Sequence, residues 1–162
     1  MEDEKIGSFI KLSMDAFEES VSAEPKVSCT EEELFQILHD LSVAVNDKAY
    51  IPQTATRDNP SLSDDYIFND NDESLILLDL TKANFVAKIK DIGKGAKNRI
   101  KQGLPQEYLY VFQYPCKLAR RDAQESGIDS DRVLIYIKIN VRKVPYKKVF
   151  IISFHKNRPG SS

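Results

Sequence analysis

Ile6, Ile10, Met14 and Phe17 recur at helical spacing, so residues 5–19 predict a first amphipathic helix. The stretch from Ser20 to Ser28 breaks it. Thr30 followed by Glu33 has the form of a capping box, and Leu34, Ile37, Leu38, Leu41 and Val45 then line one face, which predicts a second helix over about 31–45. From Asn46 to Asn71 the chain is rich in Asp, Asn, Ser, Thr and Pro with little periodicity, and reads as a long loop or a partly ordered segment. Two short helices are predicted next, over 72–80 and 81–90, the second capped by Thr81 with Phe85 and Ile89 on a common face. Residues 91–106 then read as a basic, solvated loop, with Lys94, Lys97, Arg99 and Lys101 among Gly93, Gly95 and Gly103.

The C-terminal third changes period. Residues 107–117, 132–142 and 146–155 are rich in Tyr, Phe, Val and Ile and predict three consecutive antiparallel strands. Alternation assigns Val133, Ile135, Ile137, Ile139 and Val141 to a core face, and Leu134, Tyr136, Lys138 and Asn140 to the other. In the last strand Phe150, Ile152 and Phe154 separate from Ile151, Ser153 and His155. A short connection over 143–146 then lets Tyr136, Lys138, Ser153 and His155 share one polar face. The expected fold is α+β: N-terminal helices packed on an antiparallel sheet of three or more strands, in a single domain over 1–162.

Composition narrows the function classes. The 162 residues are 41% hydrophobic and 30% charged, enough for the core of one domain, and the longest apolar runs fall far short of a membrane span. The acidic start, Met1-Glu-Asp-Glu-Lys5, lacks the pattern of a secretory signal, so a cytosolic location is expected. Cys29, Cys116, His39 and His155 lack ligand spacing, which argues against a zinc site or a disulfide scaffold. The run Asn69-Asp-Asn-Asp-Glu73 looks like part of a calcium loop but has no turn glycine, and capping the next helix accounts for it. No cofactor is expected.

The net charge of -2 hides an asymmetry: residues 1–80 carry 5 Lys and Arg against 19 Asp and Glu, and residues 81–162 carry 18 against 6. The basic half suits a polyanion such as RNA; alternatively, the halves neutralise each other within the fold. The glycine-flanked lysines of 91–106 lack the phosphate-loop spacing, although such a loop can still touch an RNA backbone. Tyr, Lys and His on one sheet face are the group types that cleave RNA without a metal. A tyrosine in that position serves equally to stack on a base.

Four segments run in the order and at roughly the spacing of a known family: 78–85 (LDLTKANF), 108–115 (YLYVFQYP), 135–141 (IYIKINV) and 149–155 (VFIISFH). Over about residues 72–157 the chain resembles the motility quorum-sensing regulator toxins, of the wider RelE-like superfamily. The resemblance implies a metal-independent endoribonuclease that cleaves single-stranded mRNA, with an antitoxin or other protein as partner. It puts Tyr136 on the family's active-site tyrosine and His155 on the basic residue after Ser-Phe. The family's helical lysine falls on Ala87, with Lys88 one step away, and its first-strand glutamine is displaced, with Gln113 as nearest substitute.

The expected catalytic set is therefore Tyr136, His155, Lys138, Lys88 and Gln113. Lys117, Arg142, Lys156 and Arg158 are the expected RNA contacts. The two departures favour a rival, a non-catalytic RNA- or partner-binding protein of the same fold; an acidic interaction or immunity protein is a third reading. Residues 1–71 read as an acidic helical extension and loop, of which Met1–Cys29 and the 46–71 loop are not explained by the family. Residues 1–30, or the acidic loop, are read as a mask over the basic face, and the competing reading is a fixed helix that completes the core.

Overall fold

The computed structural model describes residues 4–13, 27–50, 62–143 and 147–156. Its described part is α+β, built on one six-stranded antiparallel sheet. The strands are β1 (Glu4–Ile6), β2 (Phe9–Lys11), β3 (Phe85–Lys90), β4 (Tyr108–Ala119), β5 (Ser130–Arg142) and β6 (Lys148–Lys156). β1, β2, β4, β5 and β6 follow one another across the sheet, and β3 also pairs with β4. The long β4 makes this possible: its 116–118 segment pairs with β2 and its 108–112 segment with β3, both along the edge opposite β5. Among the described residues no helix is long and apolar enough to cross a membrane.

Helices α1 (Glu31–Asn46) and α3 (Asp70–Asp79) cover one face of the sheet. Leu34, Ile37, Leu41 and Val45 of α1, with Ile76 and Leu77 of α3, pack on Phe112, Tyr114, Leu118, Ile135, Ile137 and Ile139, which are almost fully buried. The Thr30 hydroxyl accepts from the Glu33 amide at 3.1 Å, as the capping pattern predicts, but the Glu33 carboxylate leaves the box for partners on the sheet. Asn69 and Asp72 complete a reciprocal capping box on α3, so the acidic run there does cap a helix.

Four predicted elements are corrected. Residues 5–11, expected within a helix, belong to the β1–β2 hairpin; Phe9 at 1% exposure enters the core, while the predicted helical positions beyond Ser13 lie outside the described residues. Of the expected loop over 46–71, α2 (Leu62–Asp65) is helical, Tyr66 bridges to Arg120, and α3 begins at Asp70; residues 51–61 lie outside the described residues. Thr81 caps only a single 3-10 turn (Lys82–Asn84), after which the chain extends into β3 instead of continuing as a helix. The basic stretch contains α4 (Lys94–Lys101), pinned by buried Ala96 and by Arg99 on Glu107. A one-turn helix, α5 (Ala123–Ser126), precedes β5.

Two irregularities set the faces. A bulge between Phe85 and Ala87 puts Phe85 against Phe112 in the main core, while Ala87 and Ile89 join Leu109 and Val111 in a second, smaller apolar cluster on the outer face. A second register shift, between Lys138 and Ile139, breaks the alternation expected of β6: Val149, Ile151 and Phe154 face the core, while Phe150, Ser153 and His155 sit with the outer face of β5.

Candidate functional site

The outer face of β4, β5 and β6 gathers the predicted tyrosine, lysine and histidine. Tyr136 is paired with Gln113 on one side and His155 on the other, and Lys138 with Val111 and Ser153. Because directly paired residues point the same way, these side chains form two adjacent rungs about 7 Å apart. The Tyr136 and His155 rings lie 5.6 Å apart at 36°, and Lys138 Nζ lies 5.4 Å from the Tyr136 ring centre. Tyr136 also rests on the apolar cluster of Ala87, Ile89, Leu109 and Val111, so its ring has a firm floor. Tyr136, Lys138, Ser153 and His155 are all half-exposed, whereas Gln113 is buried.

His155 is oriented by the backbone. Its Nδ1 lies 3.0 Å from the Lys156 carbonyl oxygen. A carbonyl only accepts, so Nδ1 is the donor in this contact, which leaves Nε2 as the nitrogen that faces away from the backbone. The main chain at Gln113 is held in turn: the Asn84 amide, itself fixed by the backbone of Thr81, donates to the Gln113 main-chain carbonyl at 3.0 Å. The site thus combines a base nitrogen, a phenol and an ammonium on rigid strands, the group types for proton transfer and for stabilising a phosphate transition state.

The other predicted residues are dispersed. Lys88 points to the opposite face, where its Nζ meets the Glu33 carboxylate at 2.6 Å and sits 4.4 Å from the Tyr108 ring centre; its neighbour Ala87 is the one on the outer face. The same Glu33 accepts from Tyr110 Oη at 2.6 Å. Burial raises the Glu33 pKa, but the bonds from Lys88 and Tyr110 and the Lys88 charge outweigh it and hold the carboxyl below its ordinary value. Burial together with the Glu33 contact pushes the Tyr110 phenol up. Lys156, paired with Ile135, also leaves the outer face and reaches Tyr66 Oη at 3.3 Å. Arg142 stays on the outer face but is engaged by Glu107 at 3.0 Å and lies over Phe150, 4.4 Å from the ring centre. Lys117 is paired with Arg132, four residues along β4 from Gln113. Arg158 lies outside the described residues.

Sequence reasoning missed a cleft at the end of the sheet where β3 ends and β4 begins. It has a volume of 350 Å³, and Glu33, Lys88, Gln106, Tyr108, Asn140 and Arg142 are among its lining residues. A polar network fixes its wall: Asn140 Nδ2 donates to Glu107 at 2.9 Å and to Asp91 at 3.3 Å, and Arg99 also binds Glu107. Burial works to raise the Glu107 pKa, yet the bonds from Arg99, Asn140 and Arg142 keep it below the ordinary carboxylate value. These lining residues are far apart in sequence, so no local pattern announces them; the one signal was the aromatic pair Tyr108 and Tyr110. Among the described residues no group of three His, Cys, Asp or Glu forms a metal site. Compared with family models, with curated proteins and with solved structures, the chain finds no match.

Proposed function

We propose that the outer sheet face is an RNA-cleaving site and that the chain acts as a metal-independent endoribonuclease of the toxin–antitoxin kind, on a RelE-like core, against single-stranded mRNA. The observation that carries the reading is the Tyr136–His155 ring contact beside Lys138. In this chemistry His155 Nε2 takes the proton from a ribose 2′-OH, whose oxygen attacks the adjacent phosphorus. The bond from phosphorus to the 5′ oxygen breaks, and the Tyr136 phenol protonates that leaving oxygen. The products are a 2′,3′-cyclic phosphate and a 5′-hydroxyl end, and the proton on His155 returns to the phenolate through solvent. Lys138 offsets the negative charge that builds on the phosphate oxygens.

The test is incubation of the purified protein with a long single-stranded RNA in EDTA, beside Tyr136→Phe and His155→Ala. The expected result is metal-free cleavage that drops ~100-fold or more in either variant, the scale for a lost proton-transfer group. Cleavage indifferent to both substitutions, or absent, would remove the enzyme reading. A second reading, RNA binding without cleavage, is favoured by a specific observation: Lys88 is spent on Glu33 across the sheet and Ala87 takes its place on the outer face. RNA binding that persists in EDTA with no cleavage would select it.

A further inference from the structure

We infer that the lysine face of α4 is a docking surface for the phosphate backbone of the RNA. The inference rests on the proposed function and adds an affinity surface to it. At about 100° per residue Lys94, Lys97 and Lys101 fall within an arc of about 60°, and the stripe they form runs for about 10 Å. Ala96, at 2% exposure, and Arg99, bound to Glu107, lie on the other side and fasten the helix to the molecule. All three lysines are exposed, and among the described residues none of them has an ion pair or a hydrogen bond. The arrangement works against the helix itself. Lys94 stands in the first turn, where the helix dipole disfavours a cation, and no acidic residue accompanies it there. Lys97 lies three residues from Lys94 and four from Lys101, so like charges adjoin along the face. Gly93 caps the helix without a side-chain hydrogen bond. Positions where local preference is set against the fold are where function is expected, and an anion laid along the stripe relieves both the repulsion and the conflict with the dipole.

Position and composition select the anion. The segment that carries α4 is tied at both ends to the outer face of the sheet: Asn140 Nδ2 reaches the carboxylates of Asp91 and Glu107, and Arg142 reaches Glu107. Asn140 is the next outer-face position after Lys138 on β5, so the basic helix is mounted on the strand that carries Tyr136 and Lys138, toward its C-terminal end. The stripe holds no aromatic or apolar side chain, which a protein hot spot or a base-stacking site requires. Ammonium groups on flexible stems serve instead as point charges for phosphates, and gain by releasing the counterions condensed there. Ile92 and Ile100, 72% and 41% exposed, flank the helix, but two isoleucines offer little of the apolar area that holds an amphipathic helix on a membrane.

The experiment measures Kd for a single-stranded 2′-O-methyl RNA, whose blocked 2′ oxygen prevents cleavage, between about 50 and about 200 mM salt. The wild type is compared with Lys94→Gln/Lys97→Gln/Lys101→Gln and with Lys5→Gln/Lys48→Gln/Lys82→Gln, a control of equal charge change that leaves α4 intact. The slope of log Kd against log salt should be smaller by about 2 in the α4 variant, about 0.7 for each lysine, so its deficit against the wild type shrinks roughly 16-fold over that range. The control should keep the wild-type slope. The Tm of the α4 variant should equal or exceed that of the wild type, since like charges have been separated. On cleavable RNA its KM should rise with kcat changed by less than about twofold. A wild-type slope in the α4 variant, an equal loss of slope in the control, or a lowered Tm that makes the lysines structural would overturn the docking surface while leaving cleavage intact. Binding of the wild type to phosphatidylserine vesicles that the α4 variant loses, with the RNA slope unchanged, would overturn it in favour of a membrane. The expected slopes without cleavage of unmodified RNA would keep the surface and remove the catalytic reading. A wild type that binds no RNA would overturn both.

Discussion

Replacing Tyr114 by Phe isolates one interaction that ties the N-terminal hairpin to the rest of the fold. Tyr114 is fully buried, and its hydroxyl donates to Asp79 Oδ2 at 2.7 Å; Lys11 of β2 reaches the same oxygen at 2.8 Å. The Phe side chain keeps the edge-on contact with Phe9, 6.1 Å between ring centres, and leaves almost no void. What is lost is a hydrogen bond to a charged acceptor, worth about 1.5–3 kcal/mol. The Asp79 side chain is 31% exposed and keeps Lys11, so water recovers part of the loss and about 1.5–2 kcal/mol remains. For a chain of this size that lowers Tm by roughly 3–8 °C. Urea unfolding at neutral pH, with an unchanged m-value, measures it. The double variant with Lys11→Met should depart from additivity by about 0.5 kcal/mol or more, because the two donors share one carboxylate. A loss under about 0.5 kcal/mol together with strict additivity would refute the shared-acceptor reasoning.

Glu107→Gln tests the electrostatics of the cleft wall. Its folded pKa lies below the ordinary glutamate value of 4.5, so its contribution is complete above that pH and is lost as pH falls through the folded pKa. The stability advantage of the wild type over the variant should therefore shrink below about pH 4.5, measured by urea unfolding across pH 3–7, and an advantage constant over that range would contradict the assignment. Gly7→Ala should cost more than about 1 kcal/mol and loosen the β1–β2 hairpin. Gly7 has φ +54°, and an added Cβ would meet Asp72 Oδ1 and Leu75 Cδ1 at 2.8 Å. A thermal melt unchanged from the wild type would show that the turn relaxes without strain.

The second helix, the three C-terminal strands and the face assignment of β5 were legible because each is a local, repeating pattern. Thr30 and the Leu34–Val45 stripe need no partner to be read, nor does the strict alternation from Val133 to Val141. The β1–β2 hairpin and β3 were not legible. Ile6 and Ile10, and Phe85 and Ile89, stand four apart and so match one helical turn, but in the structure Ile6 and Ile10 lie on different strands of the hairpin and the bulge puts Phe85 and Ile89 on opposite faces of β3, so the spacing arises without any helix. What decides for strand is the free edge of β4, long enough to receive both segments, and that edge exists only once the sheet is assembled.

The candidate site divides in the same way. Tyr136, Lys138, Ser153 and His155 were placed on one face by alternation and a short connection, and pairing keeps them there. The bulges beside Ala87 and at Ile139 are properties of strand pairs. They turn Lys88 toward Glu33, bring Ile151 to the core, and leave Phe150 beside Arg142. A side chain's face depends on every register shift between it and its partner, so single-strand periodicity set the chemistry available to this protein, and tertiary pairing chose which of those groups meet.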